Sequence, residues 1–276
     1  MERSLEGAVV VITGGASGIG RATARAMAEA GAKVVIGDLN ETGAGEVAAE
    51  IGGGAVARPL DVTDPEAFEQ LLGEIGESFG RVDGLVNNAG VMLLGPADEE
   101  DPAASRVMIE VNLLGVINGT RAAMRLMKRQ RRGRIINIAS QAGKVGMPGG
   151  ATYCATKSAV IGFSEAVRAE LKGSGVGISW VLPGLVNTEL AAGLPDIPLM
   201  DLLAPEEVAA AVVKAMAKGG SEIWVPARNQ LLDAPVRLLP RPAREKVFAL
   251  TGAGRVLFDA DPGRRESYER RASGEN

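Results

Sequence analysis

Tyr153 and Lys157 stand four residues apart in Tyr153-Cys-Ala-Thr-Lys157, a spacing that puts both side chains on one face of a helix. Free tyrosine, with a pKa near ~10, is a poor base at neutral pH, and a nearby ammonium favours its ionised form. The pair is therefore a candidate acid–base device. It matters more because the 276-residue chain has no histidine, one cysteine and two tyrosines. Without histidine, Ser-His-Asp hydrolysis, histidine acid–base chemistry and histidine-ligated zinc are excluded, and no metal site is expected. Cys154 alone cannot close an internal disulfide, which fits a reducing compartment. Next to Tyr153 on a helix it points elsewhere, and it reads as a small buried thiol.

Other polar groups fall where strands should end. Asn137-Ile-Ala-Ser140 closes an apolar run, and its serine hydroxyl could bond a carbonyl or alcohol held beside Tyr153. Asn87-Asn-Ala-Gly90 closes another. Asn112 lies inside the long helix predicted next, where an asparagine is mildly unfavourable and ordinarily faces solvent.

Thr13-Gly-Gly-Ala-Ser-Gly-Ile-Gly20 follows the first predicted strand and opens the first helix. Glycines there permit a tight turn and let the backbone approach a pyrophosphate, which the helix N-terminus favours electrostatically. Asp38 ends the second strand, 24 residues after Gly14. A carboxylate at that place accepts hydrogen bonds from ribose hydroxyls and repels a 2′-phosphate. No lysine or arginine occupies Ser17, Gly37 or Leu39 to receive such a phosphate, so NAD is expected over NADP.

The elements that position these groups follow from periodicity. Strands are predicted over 8–13, 33–37, 55–60, 84–87, 134–139, 176–182 and 222–225, most of them continuous apolar runs suited to burial on both faces. Helical stretches are predicted over 19–30, 41–51, 65–79, 102–129, 151–172 and 205–218. This βαβα alternation predicts an α/β fold, a doubly wound parallel sheet of about seven strands with helices on both faces. Residues 1–227 are expected to form that domain, with a substrate loop at 187–204, and residues 228–276 a C-terminal extension.

The sequence resembles the short-chain dehydrogenase/reductase family over about residues 5–226. The resemblance is carried by Thr13-Gly-x-x-x-Gly18-Ile-Gly20, Asp61, Asn87-Asn-Ala-Gly90, Asn112, Ser140, Tyr153-x-x-x-Lys157, Pro183-Gly184 and Thr188. It implies a Rossmann-type sheet and hydride transfer between a nicotinamide and a carbonyl or alcohol. It also implies that Tyr153 is the general acid/base and that Ser140 orients the substrate oxygen. Lys157 would bind the nicotinamide ribose and depress the tyrosine pKa, and Asn112 would hold a relay water. The cofactor contacts so implied, with those of the glycine-rich turn, are Gly14, Ser17, Gly18, Ile19, Asp38, Leu39, Asp61 and Val62 beside adenine, Asn88, Ala89, Gly90, Tyr153, Lys157, Pro183, Gly184, Val186 and Thr188. A homo-oligomer, dimer or tetramer, built on the helices containing Asn112 and Tyr153 is implied as well. The competing reading is a regulator that binds NAD without turnover; it predicts damage to Ser140, Tyr153 or Lys157, and none is present.

Specificity is expected from loops beyond the strand ends, at 91–94, 141–150 and 187–204. The last contains Leu190, Leu194, Ile197, Leu199, Met200, Leu202 and Leu203, which suggests a small hydrophobic alcohol or ketone as substrate. The same residues would also suit a lid packed regardless of substrate. The extension carries ten basic and seven acidic residues with apolar positions such as Val247, Phe248, Leu250, Val256, Leu257 and Phe258. It could cover the cleft, meet a sister subunit or rest on a membrane surface, the last disfavoured by Pro235, Pro240 and Pro242. The net charge of −4 gives no global pull toward nucleic acid. The arginines and lysines around 121–134 read as cations complementing a helix C-terminus. With no basic n-region at its start and no apolar run near ~20 residues, the chain is expected to be cytoplasmic, without an integral membrane segment.

Overall fold

The computed structural model describes residues 4–195, 202–243, 246 and 255–274. Seven parallel strands form one sheet in the order β3-β2-β1-β4-β5-β6-β7. They are β1 (Val9–Thr13), β2 (Lys33–Asp38), β3 (Val56–Pro59), β4 (Gly84–Asn87), β5 (Gly133–Ile138), β6 (Val176–Pro183) and β7 (Glu222–Val225). Each agrees with its predicted span to within one residue at either end. The chain starts in the middle of the sheet, winds outward to β3, and then returns to β4 on the other side of β1. Loops leaving β1 and β4 thus diverge and leave a crevice at the carboxyl ends of the strands.

Alternation along β1 shows why its residues are apolar without exception. Val10 and Ile12 pack with Ala24 and Met27 of α1 (Gly18–Glu29), with Ala44 and Val47 of α2 (Glu41–Ile51), and with Val208 and Val212 of α7 (Pro205–Lys218). Val9 and Val11 point the other way, to Phe68 and Leu72 of α3 (Pro65–Phe79), Met127 of α5 (Gly115–Gln130) and Val167 of α6 (Ala151–Glu170). Both faces are buried, and each large side chain fully buried there contributes about 1.5–3 kcal/mol. Helix starts are fixed locally. Asp64 accepts from the backbone N–H of Glu66 and of Ala67 at 2.8 and 3.2 Å ahead of Pro65 at the first turn, and Asn40 accepts from Gly43 N–H at 3.0 Å.

One predicted helix is not a single helix. The 102–129 stretch is α4 (Pro102–Ile109), a π-helical turn over Glu110–Leu114, and then α5. The extra residue per turn carries Asn112 inward, where it is fully buried rather than facing solvent. Beyond β7 the described extension forms α8 (Arg228–Arg237) and α9 (Pro262–Ser273), which the apolar periodicity did not reveal. Val256 and Leu257 are buried against Met92, Leu93, Met108 and Tyr153. Among the described residues, no helix is long and apolar enough to cross a membrane. Ile197, Leu199 and Met200 of the expected substrate loop, and Val247, Phe248 and Leu250 of the extension, lie outside the described residues.

Candidate active site

The glycine-rich turn is shaped by contacts that no side chain could share. Gly14 has φ +65°, and a Cβ there would stand 2.8 Å from the Ala89 Cα. A Cβ on Gly20 would meet the Gly14 carbonyl oxygen at 2.0 Å. The β1 and β4 loops are tied together behind this turn. Asn88 Nδ2 donates to the carbonyls of Thr13 and Gly14 at 2.9 and 3.0 Å, and Thr13 Oγ1 accepts from the N–H groups of Asn88 and Ala89 at 3.0 and 3.1 Å. Ser17 precedes α1 without a side-chain cap, so the first N–H groups of that helix keep their donor capacity toward the crevice. Asp38 accepts from Ala16 N–H through Oδ2 and from Asn40 N–H through Oδ1, both at 2.9 Å, which fixes a carboxylate at the rim. Asp61 Oδ1 accepts from the Thr63 N–H and hydroxyl at 2.8 and 2.7 Å.

All the residues expected to contact a cofactor, together with Ser140, line one cavity of about 420 Å³. Apart from Tyr153 and Lys157 on α6, they come from the ends of six strands, β1 to β6, and the parallel sheet delivers all of these to the same edge. Asn112 is the exception. It stands behind the wall, with Oδ1 accepting from Val91 N–H and Nδ2 donating to Val91 O, both at 2.8 Å. Gly90 separates it from the crevice: a Cβ there would lie 3.1 Å from Asn112 Oδ1 and 3.5 Å from Lys157 Nζ.

Ser140, Tyr153 and Lys157 meet in the middle of the cavity wall. Ser140 ends the loop after β5, and its Oγ accepts from Ala142 N–H at 3.1 Å. Lys157 Nζ donates to the Ile138 carbonyl at 3.1 Å and sits 5.7 Å from the Tyr153 ring centroid. Burial drives the titration of both groups on α6. It pushes the Tyr153 hydroxyl well above its ordinary value, with the hydrogen bond to Ser140 opposing. It brings the Lys157 ammonium down to about 8. Tyrosine acidity therefore moves opposite to the expected direction in this protein-only site. Full desolvation of the phenolate outweighs what the neighbouring hydroxyl gives back. Cys154 is buried and its thiol is pushed up by desolvation.

The rest of the wall is mostly apolar, with Val91, Met92, Ala142, Met147, Leu190 and Leu194 from the expected loops. Leu203 is buried and bridges to Val186, whereas Leu202 is half exposed. Sequence reasoning left the extension's place open. Val256, Leu257, Tyr268, Arg271 and Ala272 also line the cavity. No periodic signal could have found them, because α9 is a charged helix with a single fully buried side chain, Arg265. The basic group near α5 is partly consumed in ion pairs, Arg125 with Glu69 and Arg132 with Asp83. Among the described residues, no cluster of three or more acidic or cysteine side chains could hold a metal ion.

Comparison with known proteins places this geometry. Residues 8–196 match the family model for short chain dehydrogenase. The chain is 42% identical over 198 residues to a 2,5-dichloro-2,5-cyclohexadiene-1,4-diol dehydrogenase of Sphingobium indicum, covering 71% of this chain and 79% of that one. It is 40% identical over 222 residues to a 3-oxoacyl-[acyl-carrier-protein] reductase of Synechocystis, with 76% and 89% covered. A reductase of the same description from Escherichia coli is 38% identical over 205 residues, with 73% and 82% covered.

Proposed function

The chain belongs to the short-chain dehydrogenase family, whose members are oxidoreductases using a nicotinamide cofactor, and from that premise we propose an NAD-dependent enzyme interconverting a hydrophobic secondary alcohol and its ketone. The observation that carries this reading is the meeting of Ser140, Tyr153 and Lys157 in the wall of the cavity that also holds the glycine-rich turn. The residues fit a dinucleotide. The turn is a cradle that a Cβ at Gly14 would fill, the α1 N-terminus has uncapped donors, and Asp38 stands where an adenosine ribose would be bonded. Gly14, Ser17, Gly18 and Ile19 would hold the pyrophosphate. Asp38 and Leu39 would hold the ribose, Asp61 and Val62 the adenine, and Asn88 to Gly90, Pro183, Gly184, Val186 and Thr188 the nicotinamide half.

When bound, the nicotinamide supplies or accepts the hydride. The chain supplies position and a proton route. In reduction the Tyr153 phenol donates its proton to the carbonyl oxygen, and burial keeps it in that protonated form. In oxidation the Tyr153 phenolate takes the alcohol proton, and the Lys157 ammonium beside the ring stabilises that charge. Ser140, which lines the cavity with Tyr153, holds the reacting oxygen. Asn112 acts through the Val91 backbone and keeps the loop beside Lys157 in place.

The test is a screen of hydrophobic secondary alcohols and ketones by NADH absorbance, with Tyr153→Phe as control. The expected result is turnover in the wild type, a fall in kcat by orders of magnitude in the variant, and NADH affinity nearly unchanged. Near-normal turnover by the variant would remove Tyr153 from the chemistry.

A further inference from the structure

The cavity holds a second tyrosine. Tyr268 comes from α9, which lies beyond residues 8–196, and its hydroxyl accepts a hydrogen bond from Met92 N–H at 2.9 Å. That bond uses the oxygen as acceptor. The hydroxyl proton has no acceptor among the described residues, although the group lines the cavity. Burial raises its pKa to about 12, so it remains a donor throughout the neutral range. The same cavity is lined by Met92, Leu190, Val256 and Leu257, whose side chains offer a ligand no hydrogen bond, and by Glu189 and Arg271, which are paired with each other.

The helix bearing Tyr268 is fastened rather than laid on the surface. Arg265, one turn earlier, is fully buried. Its Nη1 donates to the carbonyls of Leu190 and Ala192 at 3.0 and 2.9 Å, its Nη2 donates to Met92 O at 2.7 Å, and its Nε pairs with Glu269 at 2.7 Å. The guanidinium thus joins α9 to both loops that flank the substrate end, and it lies 5.3 Å from the Tyr268 ring centroid. Asp261 N–H donates to Gly193 O at 2.8 Å, and a Cβ on Gly149 would stand 2.6 Å from the Phe258 Cα, so the contact is close along the segment.

We propose that Tyr268 is a specificity-determining residue that donates a hydrogen bond to a second oxygen of the substrate, so that the preferred substrates are hydroxy- or keto-compounds bearing another oxygen on an apolar frame. The inference rests on the alcohol–ketone reading above. Tyr268 is half-buried with its hydroxyl facing a mostly apolar cavity, and a substrate oxygen that accepts from it gains selectivity over an otherwise identical molecule lacking it. An uncharged hydrogen bond of this kind corresponds to a preference of roughly 3- to 10-fold.

The experiment uses the full chain with NAD and four probes: cyclohexanol and the 1,2-, 1,3- and 1,4-cyclohexanediols, compared by kcat/KM. The series varies the spacing between the oxygens while the frame stays the same. Wild-type enzyme is expected to favour at least one diol over cyclohexanol by roughly 3- to 10-fold, mainly through KM. Tyr268→Phe is expected to erase that advantage while cyclohexanol turnover persists, and Leu257→Ala, on the same wall, to leave the diol-to-cyclohexanol ratio unchanged. An equal loss on all four probes, or complete loss, would make Tyr268 structural and overturn the proposal. No diol advantage in the wild type, or turnover of none of the four, would also overturn it. The reaction class is judged separately, by Tyr153-dependent turnover in the wider alcohol and ketone screen.

Discussion

Lys157→Met, followed by urea unfolding across pH without cofactor, isolates the energy stored in the buried ammonium. Lys157 ionises near 8 in the folded protein against an ordinary value of 10.5. Because the folded value is depressed, the unfolded chain binds the proton more tightly. Below about pH 8 both states are charged, and the folded state carries the full desolvation cost. Between 8 and 10.5 the folded lysine is neutral while the unfolded one is still protonated, so stability rises with pH. At about 1.4 kcal/mol per tenfold change in acidity, the whole interval is worth about 3 kcal/mol. Methionine fills similar space without charge, but leaves the Ile138 carbonyl without the bond it accepts at 3.1 Å, a loss of about 1 kcal/mol. The variant is therefore expected to be more stable than wild type by about 2 kcal/mol at pH 7 and to lose that advantage by pH 10. Cys154 and Tyr153, both raised by burial, act in the opposite direction as pH rises, the thiol within this window. Both groups remain in the variant, so the difference between the two proteins removes them. A difference that stays flat from pH 7 to 10 would show that the ammonium is not desolvated as described.

Three further outcomes are expected. Asp38→Ala removes the acceptor at the ribose end and should narrow the NAD preference at least tenfold, read as the ratio of kcat/KM for NAD and NADP; wild-type enzyme at least as efficient with NADP would refute the assignment. Arg265→Met leaves three carbonyls and Glu269 without their partner, a cost of about 3–5 kcal/mol. It should appear locally, as hydrogen exchange at the Met92 amide and in α9 faster by roughly 100-fold or more, with β4 and β5 unchanged. Unchanged exchange at Met92 would mean the helix docks without the guanidinium. Asn112→Ala orphans the N–H and C=O of Val91 and should lower unfolding stability by about 2–4 kcal/mol in urea, whereas an unaltered midpoint would mean the π-helical turn does not depend on that carboxamide.

What could be read from the sequence follows from which interactions are local. β1 is legible because a strand buried on both faces must be apolar at every position from Val9 to Ile12. The site is legible for a related reason. In a parallel sheet every carboxyl end reaches one edge, so Asp38, Asn88, Ser140 and Pro183 converge once their strands are placed. The π-helical turn was not legible. No glycine or proline interrupts Glu110–Leu114, and the widened turn goes with bonds between Asn112 and Val91, 21 residues earlier. The acidity of Tyr153 is not legible, because spacing shows a nearby ammonium but not how completely the hydroxyl is desolvated. In α9, neighbouring arginines read as a solvated face. The burial of Arg265 depends on carbonyls 73 to 173 residues away in sequence, which no local pattern encodes.

The two halves of the cavity are therefore held by different physics. At the glycine-rich turn the wall is largely backbone, fixed by sterics at Gly14 and Gly20 and by the bonds joining Thr13 to Asn88 and Ala89. Substitution there displaces main chain, so that half tolerates little variation in residue type. At the substrate end the wall is built from apolar side chains and a helix whose main polar attachment is one guanidinium. The described bonds that fasten α9 go to Met92, Glu189, Leu190, Ala192 and Gly193, and none goes to the glycine-rich turn. A change confined to the Tyr268 hydroxyl can thus alter what the cavity accepts while the glycine-rich cradle stays in place. The helix that shapes substrate choice is attached to the loops after β4 and β6, at Met92 and at residues 189–193. These points lie just beyond residues 88–90 and 183–188 of the same loops, which are proposed to hold the cofactor; the two roles therefore divide by position along shared loops.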